Sequence, residues 1–453
     1  MVGKTIGEAL GECIAALDPA QLPAAARTMA QNLVLDVVGL CVAARRSDYV
    51  QAVAASGLAP GRATAIGHVR TVDAAGSALI NGTAAHGEDF DDTFEGGPVH
   101  AGAVVVPTVL AVAEEFGADG LALLKGIAVG AETICRLSLV APMRVHKAGF
   151  HPTSVFGTMA AAAAAGATLG LDPPRIAHAF GIAGSMAGGI IEYLADGSWT
   201  KRLHAGWAAQ SGIRAALLAR AGFVGPLSVF EGAHGLFHGF ARGSFGDYGR
   251  LVDGFGADWV LETLAFKPFA CGTMAQPYVD CAIRLARHGI AADAIDEIVC
   301  EVAEGTVHRL WEPLASKQAP PNPYAAKFST PFCIAAGFIL GDAALAAFTE
   351  ATVADPRLRS LAQKIRYVVN PANPYPRAYT GHLRARLKTG KVVEDRQPHL
   401  RGGAQEPLPL AEIERKFYAN AAFGAWPREK AEAARVLVAR LFEGSVDLAP
   451  LRD

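Results

Sequence analysis

Apolar residues recur at helical spacing through most of the first 264 positions. Leu33, Val34, Val37, Val38 and Cys41 mark one face of a stretch from Ala24 to Arg45, opened by Pro23. The same spacing predicts helices from about Asp73 to His86, Gly102 to Phe116, Leu121 to Leu139, Val155 to Leu169, Ile176 to Leu194 and Ala205 to Ala221. Their faces carry small residues, among them the run Ala160 to Ala165 and Gly184, Gly188 and Gly189. Small side chains let helix backbones approach closely, as a tightly packed bundle requires. No period repeats along the chain, which sets a solenoid aside.

The pattern changes near Leu264. Ile298 to Val302 and Ile365 to Val369 alternate as strands do, and Leu383 to Leu387, Thr389-Gly390 and Val392-Val393 form a hairpin pattern. Helical segments lie between them near Pro277 to Arg287 and Pro331 to Leu340, each with proline in the first turn. Residues 265–403 therefore read as a small α+β domain. Helical spacing returns at Leu410 to Ala419 and Pro427 to Phe442. We expect residues 404–453 to rejoin the helical domain of residues 1–264, making the α+β unit an insertion.

Hydrophobic residues are 51% and charged residues 19% of the chain, which excludes disorder and supports a large core. The net charge of −2 offers no general attraction for nucleic acid or an anionic membrane, so an anion must be met by a few placed cations. The N-terminal segment MVGKTIGEALGECIAALD has no long apolar core and does not read as a secretory signal. The Ala- and Gly-rich stretches read as buried helices, not membrane spans. Seven scattered cysteines with no CxxC pair fit free thiols in a reducing cytoplasm.

Polar residues concentrate in four places. Five acids and two histidines crowd the run from His86 to His100, between two apolar helices. A loop there can aim side chains into a cleft, and a histidine beside a carboxylate suits general acid–base work. Asp91 and Asp92 read as helix caps, whereas Asp89 and His100 read as functional groups. The second place is Gly149 to Ser154, where His151 falls at the N-terminus of the Ala-rich helix. The helix dipole there favours the neutral, basic imidazole; a surface-loop histidine is the alternative. The third is Trp199 to Gly206. A cation at a helix N-terminus opposes the dipole, so Lys201 either grips a carboxylate or is simply solvated. Arg202 reads as solvated or interdomain. The fourth is Phe266 to Gly272, where apolar neighbours surround Lys267 and either a bound anion or an interdomain carboxylate holds it.

His86 and Asp89 have a usable metal spacing, but no HExxH, no CxxC and no ligand-dense helix accompanies them, so no metal is expected. No GxGxxG opens a βαβ unit, no GxxxxGK[ST] occurs, and no GxSxG elbow supports a serine hydrolase.

Taken in order, DFDDT followed by His100, then HPTS, K-x-L-H-A-G and FKPF, with AKFSTPF and ERKF further on, resemble the MmgE/PrpD family over nearly the whole chain. That family includes 2-methylcitrate dehydratase, cis-aconitate decarboxylase and iminodisuccinate epimerase. The resemblance implies a mostly α fold: a large all-helical domain with an inserted smaller α+β lid, a pocket between the two, a homodimer formed through the helical part, and no cofactor. It implies that Asp89, Thr93, His100, His151, Lys201 and Lys267 are functional. One extra residue separates Thr93 from His100 relative to some relatives. Several relatives carry a histidine shortly after the second lysine, whereas Ala270 to Gln276 contains none. A thiol or an amide in that run cannot replace an imidazole as an acid at neutral pH. This counts against both the decarboxylase and the methylcitrate reactions.

The expected function is that of a cofactor-independent lyase, a dehydratase or decarboxylase, acting on a small di- or tricarboxylic acid. Asp89, His100, His151 and Lys201 are expected to carry the chemistry, with Asp89 orienting a histidine. Thr93, Lys267, Cys271, Gln276 and His204 are expected to hold the substrate. Neither nucleic acid nor a membrane is expected as a partner. An epimerase of a dicarboxylic acid derivative and a non-catalytic acid-binding relative are the two alternatives.

Overall fold

The computed structural model describes residues 3–243 and 246–453; Met1 and Val2, at the head of the segment read for a secretory signal, lie outside them. The chain divides into two compact units. The first begins with α1 (Ile6–Ala16), which the hydrophobic spacing did not reveal. It is fixed by a capping box in which Thr5 Oγ1 accepts from the Glu8 amide while the Glu8 carboxylate accepts from the Thr5 amide. Then follow α2 (Ala24–Ala44), α3 (Ala74–Gly87), α4 (Gly102–Phe116), α5 (Gly120–Val140), α6 (Pro152–Thr168), α7 (Pro173–Met186) and α8 (Thr200–Arg220). Every residue of α3 and of α6 is buried. Small residues make this possible. A Cβ on Gly82 of α3 would stand 2.7 Å from the Gly206 Cα of α8, and one on Gly206 would stand 2.3 Å from the Leu79 carbonyl. At such spacing the two backbones touch, and α8 also packs along α6.

Two boundaries of the first unit differ by five residues or more from the periodic pattern. The helix expected to reach Leu194 stops at Met186, because Ala187 turns extended and Gly189 takes φ +112°. The helix expected from Ala205 starts five residues earlier, at Thr200, which puts Lys201 in its first turn.

The second unit comprises Glu88–Phe90 and Ala265–Pro409. Its first helix, α9 (Gln276–Arg287), lies on a four-stranded sheet built from β1 (Ile295–Val302), β2 (Ile365–Val369), β3 (Gly381–Leu387) and β4 (Val392–Gln397). The strand order is β2-β1-β3-β4. β1 runs parallel to β2, with Ile298 opposite Ile365, and antiparallel to β3, with Cys300 opposite Leu383. β3 and β4 form a hairpin whose turn uses Gly390 at φ +85°. α10 (Thr330–Leu340), capped by Ser329, packs on α9.

The chain then re-enters the first unit, where α11 (Leu410–Phe423) packs on α2 and α12 (Arg428–Arg440) joins them. The first unit is therefore all but wholly helical, and the chain as a whole is mostly α. α2 is long and apolar enough to cross a membrane by length and composition, yet α3, α4 and α11 cover it. Asp36 on α2, 2% exposed, meets Lys416 Nζ of α11 at 2.7 Å. Removing one member of a buried ion pair is far worse than removing both. We predict that Lys416→Ala lowers unfolding free energy by about 3–5 kcal/mol in urea titrations. The double variant Asp36→Leu, Lys416→Met should recover most of that loss, whereas equal loss in both would mean that the pair is not the cause.

Candidate active site

The loop between α3 and α4 carries the first set of polar groups. Asp92 caps α4: its Oδ2 accepts from the Ala101 amide at 2.9 Å and its Oδ1 from the Gly102 amide at 2.8 Å. Burial and the neighbouring Asp91 push its carboxyl up to about 7, against those two donors. Asp91 does something else. Its Oδ2 lies 2.7 Å from His86 Nδ1 and 3.8 Å from His100 Nδ1, with both imidazoles and the carboxylate buried. Asp91, read from the sequence as a helix cap, is thus the carboxylate that orients a histidine, a part assigned there to Asp89.

Three further contacts fix the imidazoles. His100 Nδ1 lies 2.6 Å from the Asp92 carbonyl oxygen, which can only accept, so the proton sits on Nδ1. The His100 amide donates to Thr153 Oγ1 in the first turn of α6 at 3.2 Å. His151, at the N-cap of α6, places Nδ1 3.1 Å from His204 Nδ1 on the second turn of α8. The rings form a chain. Centroids are 5.0 Å apart for His100 and His86, 5.5 Å for His86 and His151, and 5.2 Å for His151 and His204. Tyr193 sits edge-on to both His151 and His204.

The segment between α7 and Tyr193 holds this chain in place. The His151 amide donates to the Gly189 carbonyl at 2.8 Å, and the Ile191 amide donates to the Gly149 carbonyl at 3.1 Å. A Cβ on Gly189 would stand 2.7 Å from Ser154 Oγ and 3.3 Å from His204 Cε1, so only glycine fits. Within the cluster, His86 Nε2 is buried and has no hydrogen-bond partner.

Burial, reinforced by the charges of His86, His204, Lys201 and His100, holds His151 well below the usual imidazole range. Burial, with His86 and Lys201, brings His204 down to about 4. At neutral pH both rings are therefore neutral and basic. The helix dipole argument pointed the same way for His151, but burial is the larger cause. Arg202, expected to be solvated or interdomain, stacks its guanidinium 4.3 Å over the Tyr49 ring inside the helical unit.

The ligand atoms of His86, Asp91 and His100 lie within 4.8 Å of one another, near enough for a metal ion. Both Nδ1 atoms already lie against oxygen atoms, at 2.7 and 2.6 Å, so a cation there would have to displace two hydrogen bonds. The chemistry this donor set favours is proton transfer.

The sequence-derived residues divide between the units. Thr93, His100, His151, Lys201 and His204 are buried in the helical unit. Asp89, Lys267, Cys271 and Gln276 belong to the second. There Lys267, 2% exposed, donates to the Asp89 carbonyl at 2.9 Å and lies 3.4 Å from its carboxylate, with Asp89 in the left-handed region at φ 54°. Lys327 holds Glu88 in the same way, donating to its carbonyl at 2.7 Å and its carboxylate at 2.6 Å. Gln276 was expected to contact substrate. It instead donates to the Phe269 and Cys271 carbonyls at 2.8 and 2.9 Å and accepts from the Phe269 amide at 3.2 Å. Its amide is spent bracing that loop. Cys271 is fully buried, beside Cys333.

His86, Asp91 and Tyr193 were not among the residues expected from the sequence to form the site. His86 and Asp91 stood in the polar run but lacked a sign of their mutual pairing. Tyr193 fell inside the helix expected to reach Leu194.

The helical unit thus buries four imidazoles, a carboxylate and an ammonium group in one interior. Models of the MmgE/PrpD N-terminal domain and C-terminal domain match residues 8–246 and 269–442. The chain belongs to the MmgE/PrpD family. It is 31% identical over 363 residues to human cis-aconitate decarboxylase, covering 76% of this chain and 72% of that protein. It is 30% identical over 366 residues to the mouse enzyme of the same name, covering 76% and 71%. The cis-aconitate decarboxylase of Aspergillus terreus is 28% identical over 288 residues, covering 59% and 57%.

The depressed imidazoles set a direction for acid stability. An unfolded chain protonates these rings near pH 6.5, while folded His204 waits until about pH 4. The unfolded state therefore binds more protons in that window, and stability is full above it and lost as pH falls through it. Asp92, raised to about 7, opposes this: its folded form keeps a proton that the unfolded carboxyl has released. We predict that His204→Asn reduces the loss of stability between pH 7 and pH 5, by about 1–2 kcal/mol in urea titrations. Equal losses in variant and parent would show that His204 titrates normally.

Proposed function

We propose that this protein is a cofactor-independent lyase that removes a proton next to a carboxylate of a small di- or tricarboxylic acid, or carries out the equivalent elimination or decarboxylation. The observation that carries this reading is the buried chain His100–His86–His151–His204, with Asp91 on one side and the Lys201 charge acting on His151 and His204. A proton beside a carboxylate is weakly acidic, so the charge that builds up must be met electrostatically in a place poor in water. Lys201 is the cation we assign to this; Lys267 is committed to Asp89. His151 or His100 takes the proton, the other protonates the departing group, and Thr93 hydrogen-bonds a substrate carboxylate. Asp91 orients His86 and, through it, the stack.

The relatives' name, cis-aconitate decarboxylase, supports an unsaturated tricarboxylic acid as the first candidate substrate. The run Ala270 to Gln276 has no imidazole, which favours keeping an epimerase in view. That reaction uses the same abstraction and returns the proton to the other face. The free thiols of all seven cysteines support a cytoplasmic setting. Half-exposed Leu194, Trp199 and Trp207 on the helical unit support a homodimer.

The test is solvent-deuterium exchange into a panel comprising citrate, cis-aconitate, 2-methylcitrate and small dicarboxylates, with loss of water or CO₂ followed alongside. At least one acid should exchange its proton catalytically, and His151→Ala should cut that rate by about two to four decades with folding intact. Binding of panel acids without exchange over long incubation would make the protein an acid-binding relative. Inversion without loss of water or CO₂ would make it an epimerase.

A further inference from the structure

The contact between His151 and His204 is unusual because it joins like atoms. Two nitrogens 3.1 Å apart, both Nδ1, hydrogen-bond only if one carries a proton and the other offers a lone pair. A neutral imidazole has one N–H. If His151 supplies the shared proton, its Nε2 carries the lone pair and His204 has its own proton on Nε2. If His204 supplies it, the arrangement reverses: His151 has Nε2–H and His204 an open Nε2. In each ring Nε2 lies on the far side from Nδ1, so the pair has two outer ends and one proton between them.

We propose that His151 and His204 form a proton relay, in which His151 Nε2 exchanges protons with the substrate and His204 Nε2 exchanges them with water. This inference rests on the proposed function for its substrate. In the first state His151 Nε2 takes the proton, and the electron pair of the broken C–H bond stays on the substrate. The shared proton passes from His151 Nδ1 to His204 Nδ1, and His204 Nε2 releases its proton to a water molecule. Each ring ends neutral with its tautomer exchanged, and one proton has left. In the second state His151 carries Nε2–H and acts as an acid toward carbon or a departing hydroxyl. A proton entering at His204 Nε2 restores the first state. The relay makes His204 a positioning and proton-carrying residue that acts through His151, in place of the substrate contact expected from sequence.

The surroundings suit this part. His204 faces His151, Tyr193, His86 and Lys201, and His151 faces those same groups together with His100. The ammonium of Lys201 disfavours a lasting imidazolium in either ring, so a proton that enters at one end is driven out at the other. His151 is 5% and His204 7% exposed, so water reaches the pair only at a narrow margin.

Two measurements test the relay. Nitrogen-15 NMR of histidine-labelled resting protein at pH 7 should find His151 and His204 in opposite tautomers or exchanging between them. Two Nε2–H tautomers would overturn the relay. The second measurement uses His204→Asn, whose amide can occupy the Nδ1 position and keep a hydrogen bond to His151 but cannot pass a proton. With the panel acid that the unaltered protein exchanges fastest, kcat should fall about 10- to 100-fold and KM should stay within about twofold. Label washed from substrate to solvent per turnover should fall with kcat. His204→Gln serves as the second variant if the first folds poorly. An unchanged kcat, or a raised KM alone, would overturn the relay, the latter making His204 a substrate contact. If no panel acid exchanges with the unaltered protein, the functional reading fails and the tautomers alone decide the relay.

Discussion

The centre of the helical unit turns on keeping His151 and His204 out of water without letting them charge. Burying an ionised ring is expensive, and placing four within about ring-contact distance multiplies the repulsion if more than one is protonated. Hydrogen bonds order the four rings. Asp91 fixes the proton of His86 on Nδ1, the Asp92 carbonyl does the same for His100, and His151 and His204 share one proton between them. Every ring then has a defined tautomer or a defined partner, and basic lone pairs remain inside a low-dielectric interior. A free lone pair at neutral pH is the first requirement of a general base.

That arrangement depends in turn on close helix packing. His86 ends α3, His151 begins α6 and His204 lies on the second turn of α8. Bringing these three helices together requires the backbone contact of Gly82 with Gly206 and an α6 rich in alanine. A larger residue at either glycine would separate α3 from α8 and open the space between the rings. Packing and chemistry are therefore one problem in this unit: the small-residue faces set the distances at which the imidazoles interact.

Much of this was legible in the sequence. Helical periodicity located α2 to α6 within a few residues, and alternation located β1 to β4, because each element's buried face repeats with its own geometry. The family resemblance was visible in ordered motifs, and both family models match along the chain. What escaped had physical reasons. α1 owes its start to a capping box, and α7 ends at a glycine conformation, neither of which periodicity records. Asp91 and Asp92 are adjacent and alike in type, yet one caps a helix and the other pairs with His86, a choice made only by three-dimensional position. Gln276 looked like a polar group available to a ligand, but both its N–H donors and a lone pair of its oxygen are used within its own loop.

The central claim is that a polycarboxylate anion meets neutral, buried imidazoles together with Lys201. Calorimetry reads this directly. The panel acid that binds tightest is titrated near pH 6.5 in buffers of different ionisation enthalpy, which gives the number of protons that accompany binding. An anion set beside depressed imidazoles raises their proton affinity, so the account predicts net proton uptake that grows as pH falls and disappears in His151→Ala. Binding with no proton uptake at any pH, or uptake unchanged by that substitution, would contradict it.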